Sequence, residues 1–351
     1  MVAFIISYLL SLLFMNRALK NRNKLFTSFN HILAVFPPIF LLTFRAEDCG
    51  TDTYTYIMSY EFVETHNGLL YVLEARMEAL YSLLMLCLKM MSLPVEFLFF
   101  VCGILTIVPV YIGSIKLKDK ADPLITMALF YLMFYQYSFN ISRQSIAMSF
   151  LFLAVVYLLE NKKVISMMWG IVATLFHTVA LFYFVIYFLY LFLEKSKIYT
   201  IVLVGVSLSF ILTIEPDFFN DNVGRVQRYI EKGEAGMQMS YLCEMILNFI
   251  VVFAFYKKED VELRRFFLII SGIVVFLILM STRGPYIFRI ANCADILLLL
   301  YVPITLKTAN KKELYVGYMF FAVFFWWFVF IFNGSGRSYP YILSPILNGI
   351  I

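Results

Sequence analysis

Arginines and lysines are distributed unequally between the loops of this chain. In one set of alternate loops, eight of the ten basic residues are arginine, whereas 14 of the 18 in the other set are lysine. A planar guanidinium binds a carboxylate or phosphate through two parallel hydrogen bonds, which a lysine ammonium cannot do. The arginine-rich set therefore predicts a site for an anionic ligand, although for any single member the alternative is a side chain that only extends to a membrane surface. Its arginines are Arg45, Arg76, Arg143, Arg225, Arg228, Arg283, Arg289 and Arg337.

Arg143 stands beside Gln144 in the stretch FNISRQSIAMSF, at the start of an apolar segment. A charge inside a membrane segment costs at least about 2.5 kcal/mol, so it needs a compensating role. A helix beginning here would also direct the positive end of its dipole at an anion. We predict that Arg143 binds the anion and that Gln144 adds neutral hydrogen bonds. The alternative is that Arg143 pairs with a carboxylate at a helix end.

Arg283 and Arg289 flank the sequence GPYIF, between two other apolar segments. Glycine and proline allow an irregular backbone there, which a membrane protein tolerates only where it faces a wet cavity. We predict that Arg289, the deeper of the two, shares the anion with Arg143; a topological role is the alternative for both. Asp295, in the following apolar run, must have a partner, either Arg289 or a polar group on another helix.

The composition places these residues in a membrane. The chain has 351 residues, a mean hydropathy of +0.84 and only 15% charged residues, which excludes a soluble domain whose helices each have one polar face. We predict an all-α, polytopic integral membrane protein, with about twelve transmembrane helices in a single domain, residues 1–351. The apolar spans are 2–15, 29–44, 95–115, 123–139, 144–159, 164–177, 178–193, 198–214, 241–256, 266–282, 288–306 and 313–333.

The lysine-rich loops follow the odd-numbered spans, and the positive-inside rule places them in the cytoplasm. Both termini and the arginine-rich loops then lie on the outer face, which has two long segments, residues 45–93 and residues 215–240. The first segment contains an apolar period typical of a helix, and its charges indicate an amphipathic helix along the outer leaflet. The repeating residues are Leu69, Leu73, Met77, Leu80 and Leu84.

The sequence offers no metal-binding motif. Its five cysteines are scattered, without a C-x-x-C pair or nearby histidines, and no acidic cluster suggests a divalent ion. We expect no metal and no cofactor. We also expect no nucleic-acid partner, because most basic residues sit in short loops where they report topology.

Four stretches of the chain occur in a recognisable order: FRAEDCGTDTYTY, ISRQSIAMSFLFLAVVYLLENKK, GIVATLFHTVALFYFVIYFL and RGPYIFRIANCADILLLLYVP. They resemble, in turn, an R-x(n)-G-T-D-x-x-Y segment, an R-Q-s-l-A helix, an A-x-x-F-H hairpin and a late R-x-x-x-Y/F span. These are features of the EpsG-like branch of the Wzy-type polysaccharide polymerases. The resemblance runs over roughly residues 30 to 345.

The resemblance implies a GT-C-like glycosyltransferase of the bacterial cytoplasmic membrane, with its active site facing outside. Such an enzyme polymerises oligosaccharide repeats carried on undecaprenyl diphosphate, transferring the growing glycan to the non-reducing end of the next repeat. The predicted anion would then be the lipid diphosphate. Membrane lipid is a further expected partner, and a chain-length regulator protein is a candidate partner. The predicted diphosphate-binding residues are Arg45, Arg143, Gln144, Arg283 and Arg289.

The acceptor hydroxyl in such a transfer needs a base. Asp52 of the GTD segment and Glu74 of the amphipathic helix are candidates. His177, at the tip of the hairpin, is a third, because the ordinary pKa of histidine, about 6.5, suits a base or a phosphate donor. The alternatives are helix capping for Asp52, exposure to water for Glu74 and a structural turn for His177. Candidates for glycan binding are Arg76, Arg225 and Arg228.

Three other membrane functions use related features. A flippase or transporter of lipid-linked glycan would place charge near mid-membrane and show a two-fold repeat, whereas here the charge gathers at one face and no repeat is visible. A membrane acyltransferase would use a buried histidine with an asparagine or aspartate partner, which is not evident beside His177. A single-sugar transferase that uses a lipid phosphosugar has closely related chemistry and stays open.

The assigned topology can be tested by cysteine labelling. In a chain whose five native cysteines have been replaced, Lys118→Cys and Asn310→Cys should react only with reagents that enter the cytoplasm. Asn222→Cys should react with a membrane-impermeant reagent added outside. The reverse pattern would invert the topology and place the arginine-rich loops in the cytoplasm.

Overall fold

The computed structural model describes residues 1–74, 77–193, 235–257, 261–281 and 285–345. These ranges are helical apart from short connections and one isolated antiparallel bridge between Arg45 and Leu343. The α-helices are α1 Val2–Lys20, α2 Lys24–Thr43, α3 Thr53–Glu61, α4 Leu69–Glu74, α5 Ala79–Met90, α6 Val95–Lys116, α7 Pro123–Met133, α8 Ser142–Leu159, α9 Lys163–Phe176, α10 Phe182–Leu193, α11 Ala235–Phe255, α12 Val261–Met280, α13 Pro285–Asp295, α14 Leu298–Ala309 and α15 Lys312–Trp326.

Apolar helices of membrane-spanning length recur along the described chain, which confirms an all-α, polytopic membrane protein. Four of the other predicted spans coincide with the shorter apolar helices α7, α9, α10 and α11, and the predicted span 198–214 lies outside the described residues. The total of twelve spans and the GT-C-like architecture stay predictions. The seven helical stretches long and apolar enough to cross a bilayer are Val2–Lys20, Lys24–Thr43, Val95–Lys116, Ser142–Leu159, Val261–Met280, Tyr286–Ala309 and Lys312–Phe332.

Helix α8 is the central helix of the described bundle. It packs against both α6 and α9. Helix α2 packs between α6 and α1. A second group, α11 to α14, packs together, and α13 and α14 also touch α8. Because α8 is buried over nearly its whole length, the polar residues of its first turn must find partners within the protein.

The lysine-rich loops meet at one end of this bundle. Lys116 and Lys162 both pair with Glu160, at 3.0 and 2.8 Å, just after α8 ends. Lys307 Nζ donates to the backbone carbonyls of Lys118 and Asp119, at 2.9 and 3.0 Å. Since α8 rises about 27 Å over its 18 residues, its first turn, which carries Arg143, lies at the opposite end.

Asp295, at the end of α13, is buried and has its partner on another helix, one of the two alternatives that its sequence context leaves open. Its carboxyl group hydrogen-bonds to that of Glu244 in α11. Asn248 donates to Glu244, and the Tyr318 hydroxyl donates to Asn248. Two carboxyl groups share a hydrogen bond only when at least one holds a proton, so this network joins α11, α13 and α15 with at most one negative charge.

The packing of α9 on α10 can be tested at Gly170. A methyl group here would overlap the Tyr183 ring, whose hydroxyl is held 2.6 Å from Ser166 Oγ. We expect Gly170→Ala to destabilise the protein by about 1 to 3 kcal/mol, as overpacking does, seen as a lower Tm of the purified protein in detergent.

Gly317→Ala is the matched control. No described atom beyond the backbone of its own helix lies within 4 Å of a methyl group at this position of α15. Alanine favours a helix over glycine by about 1 kcal/mol, so this variant should melt at or above the parent temperature. Equal Tm values for the two variants would contradict the described packing of Tyr183 on Gly170.

Candidate functional site

The acidic residue at the centre of the site is Glu78, which the sequence reasoning missed. One carboxylate oxygen accepts a hydrogen bond from Arg143 Nη1, and the other lies 3.1 Å from His177 Nδ1. We call these three residues the Glu78 cluster. The Glu78 and His177 side chains are 13% exposed and Arg143 is 27% exposed. The cluster is therefore shielded from solvent, yet its guanidinium can still be reached.

Glu78 reaches this position because the predicted amphipathic helix is two helices. Helix α4 ends at Glu74, α5 begins at Ala79, and Met77 and Glu78 between them are not helical. Glu78 has an extended backbone (φ −63°, ψ 147°) and makes no capping hydrogen bond to α5. A shielded arginine without a counter-charge is costly, and the break lets the carboxylate turn toward Arg143. The N-terminus of α5 also favours a negative charge.

Arg143 and Arg289, predicted to share an anion, lie at the same end of the bundle. Gln144 Nε2 donates to the backbone carbonyl of Arg289 at 2.9 Å, which ties α13 to the first turn of α8. The Arg289 side chain is exposed and close enough to act electrostatically on His177. The Tyr56 hydroxyl is within hydrogen-bond reach of Arg143. Arg143 thus pairs with a carboxylate at a helix end, the alternative that its sequence context leaves open, and Arg289 lies near His177. That both arginines bind one ligand stays a prediction.

His177 occupies the turn between α9 and the 3₁₀ helix Thr178–Leu181, outside both helical spans. Burial lowers the pKa of His177 to about 4; Glu78 opposes this shift, and the positive charges of Arg143 and Arg289 add to it. The imidazole is therefore neutral near pH 7. Its Nδ1 lies 3.1 Å from Glu78 and 3.4 Å from the Val179 amide, and cannot donate to one while accepting from the other. The shorter, charge-assisted contact favours a proton on Nδ1.

The GTD segment packs on the turn that leads into α8. The Thr51 amide donates to Asn140 Oδ1 at 2.6 Å, and the Thr53 hydroxyl, which donates to the Cys49 carbonyl at 2.7 Å, lies 3.3 Å from the carbonyl oxygen of Phe139. Gly50, with φ +104°, donates its amide to the carbonyl of Arg337 at 3.0 Å. This packing fixes the start of α3, and with it Tyr56, beside Arg143.

Asp52 and Arg45 lie on either side of this segment. Asp52 directly precedes α3 but its side chain makes no capping hydrogen bond; its carboxylate lies 3.3 Å from Thr51 Oγ1, which is 3.1 Å from Asn140 Oδ1. Arg45 is buried, its Nη1 donates to the Ser138 carbonyl at 3.2 Å, and its guanidinium lies 4.2 Å from the Phe99 ring centroid. Burial lowers the pKa of Arg45. The predicted roles of Asp52 and Arg45 stay predictions.

Several predicted site residues fall outside what the structure describes. The backbone of Glu74 ends α4, but its side chain is not among the described groups. No group of three or more histidine, cysteine, aspartate or glutamate side chains in the described ranges is arranged to hold a metal ion. The arginines outside the described residues are Arg76, Arg225, Arg228 and Arg283.

Comparison with known proteins assigns the chain to one family. The EpsG family matches residues 31–343, which cover the whole Glu78 cluster, the GTD segment and Arg289. No curated protein and no solved structure matches the chain.

The packing of the GTD segment predicts that Gly50→Ala disrupts this end of the protein. A methyl group at Gly50 would overlap the carbonyl oxygen of Phe139, and the positive φ adds strain. Gly68→Ala is the control, because Gly68 also has a positive φ (+52°) but no described atom within 4 Å. The positive φ strains an alanine at either position. Gly50→Ala should lose more stability than Gly68→Ala in thermal unfolding, and equal losses would contradict the described contact with Phe139.

Proposed function

We propose that this chain, which belongs to the EpsG family of polysaccharide polymerases, joins oligosaccharide repeats at the Glu78 cluster. The proposed substrate is a repeat carried on undecaprenyl diphosphate, at the outer face of the bacterial cytoplasmic membrane. The observation that carries the proposal is a carboxylate held between an accessible arginine and a neutral histidine, with a second arginine beside them. A lipid diphosphate is an anion at the membrane surface, and the proposed topology puts these groups at the outer surface.

Arg143 and Arg289 are the proposed diphosphate ligands. Arg143 belongs to the first turn of α8, where the helix dipole also favours an anion. Its side chain is 27% exposed, so part of the guanidinium can contact a ligand. Negative charge grows on the diphosphate as the glycosidic C1–O bond breaks, and two fixed cations stabilise that charge more in the transition state than in the ground state.

Glu78 is the proposed base, and the diphosphate is what makes it available. A bound diphosphate competes with Glu78 for Arg143, while the Nδ1–H of His177 keeps the carboxylate at the site. Glu78 then accepts the proton of the acceptor hydroxyl as that oxygen bonds to C1. The electron pair of the broken C1–O bond leaves with the lipid diphosphate. Asp52 and Glu74 are the alternative bases.

The proposal includes a wider set of residues and partners. Arg45, Gln144 and Arg283 would complete the diphosphate site, with Gln144 acting through the backbone of Arg289. The GT-C-like architecture and a chain-length regulator protein as partner belong to the same proposal. The side chains proposed to bind glycan are Arg76, Arg225 and Arg228.

Arg143→Lys and Glu78→Gln should separate binding from proton transfer. Arg143→Lys keeps the charge but loses the two-pronged donor, and it should weaken diphosphate binding and reduce polymerisation. Glu78→Gln keeps the shape but cannot take a proton, so it should bind lipid diphosphate at least as well as the parent while polymerising roughly 100- to 10,000-fold more slowly. The measurements are the ladder of repeat lengths and binding of undecaprenyl diphosphate to purified protein.

Glu61→Gln is the control, because Glu61 forms an exposed pair with Lys89, at 2.8 Å, on the same outer segment. It should give a normal ladder, and all variants should be compared at equal abundance in the membrane. A normal ladder from Glu78→Gln would exclude Glu78 as the base. A normal ladder from Arg143→Lys would remove Arg143 from the diphosphate site.

A further inference from the structure

A groove of about 510 Å³ opens where α1 ends and α2 begins. It lies at the lysine-rich end of the bundle, since His31 of α2 meets the Tyr111 hydroxyl of α6 at 2.7 Å, close to Lys116. The opposite end of α1 carries Phe4, which packs on Phe139 beside the GTD segment. The groove is therefore separated from the Glu78 cluster by the length of the bundle. Its walls include Phe14, Arg17, Lys20, Phe26, Phe29 and Leu33.

The charge of the groove is not balanced by the protein. The first acidic residue of the chain is Glu47, so the turn between α1 and α2 has only basic charges nearby in sequence. Arg17 and Lys20 are exposed, and neither forms an ion pair within the described part of the chain. The Arg17 guanidinium lies 5.9 Å from the ring centroid of Phe14, and both side chains line the groove. Two exposed cations without carboxylate partners attract an anionic ligand.

The remaining walls of the groove combine apolar side chains, two of which face outward, with Asn16, Asn21 and Asn30. Phe26 is 61% exposed and Phe29 is 57% exposed, and both belong to the first turns of a helix of membrane-spanning length. A free anion would leave these rings without a partner. A ligand with an anionic head and an apolar body would contact the basic and the aromatic walls together. Phospholipids have that form, and basic pockets between membrane helices bind their head groups.

We propose that this groove binds one anionic phospholipid. Its phosphate contacts Arg17 and Lys20, and its acyl chains lie over Phe26 and Phe29. The N-terminus of α2, capped by Asn23, adds a favourable dipole toward the phosphate. The volume falls within the range of roughly 300 to 1,000 Å³ that ligand pockets occupy. The lipid would stabilise the α1–α2 hairpin on α6, independently of the function proposed above.

The proposal is tested by adding lipid to the purified, delipidated full-length protein and counting the lipids bound to it by native mass spectrometry. The probes are dioleoyl phosphatidylglycerol and, as the zwitterionic comparison, dioleoyl phosphatidylethanolamine. The double variant Arg17→Gln/Lys20→Gln should bind phosphatidylglycerol roughly 30-fold more weakly, because each basic group near an anionic head contributes about 1 kcal/mol. Phosphatidylethanolamine should bind weakly to parent and variant alike.

Two further variants test whether the phospholipid binds in this groove. Arg22→Gln/Lys24→Gln removes the same charge from the same turn, but neither residue lines the groove, so binding should be retained. Leu33→Trp fills the groove without changing its charge, and binding should be lost. Equal loss in both double variants would show attraction by the overall charge of the turn and overturn the site. Unchanged binding in Arg17→Gln/Lys20→Gln or in Leu33→Trp would overturn it as well.

Discussion

The ion pair between Glu78 and Arg143 is the interaction on which the arrangement of the site depends. Arg143 starts the most enclosed helix of the described bundle, where an unpaired charge would be costly. Glu78 can supply the counter-charge only from a backbone that has left the helix, and this separates α4 from α5. The same carboxylate then holds His177 in the turn before α10. One pairing therefore brings together the outer segment, the central helix and the hairpin.

The ion pair between Glu78 and Arg143 is suited to replacement of the carboxylate by an anionic ligand. Arg143 keeps partial exposure, and Glu78 has a second contact at His177 that does not depend on Arg143. A ligand with two phosphates can offer Arg143 more charge than one carboxylate does. Because His177 is neutral, it can hold the displaced carboxylate without neutralising it. On the proposed function, arginine at this end and lysine at the other correspond to two tasks, recognition of a specific anion and orientation in the membrane.

The sequence predicted the parts of the fold that depend on local pattern. Apolar periods located the described spans, and the shared face of Arg143 and Arg289 followed from counting spans between them. Glu78 could not be found in this way, because it is 65 residues from Arg143 and stands in a stretch whose period is typical of a continuous amphipathic helix. Charges in such a helix ordinarily face water. The sequence leaves two alternatives for the partner of Asp295, and only the side-chain contacts between α11 and α13 identify it as Glu244.

The central claim is that a lipid diphosphate replaces Glu78 at Arg143. The most direct measurement is an electron cryo-microscopy structure of the full chain in a lipid nanodisc with undecaprenyl diphosphate bound. The account predicts phosphate oxygens within hydrogen-bond distance of Arg143 and Arg289, and a Glu78 carboxylate that has left Arg143 but still contacts His177. A diphosphate bound elsewhere, with the pair between Glu78 and Arg143 intact, would contradict it.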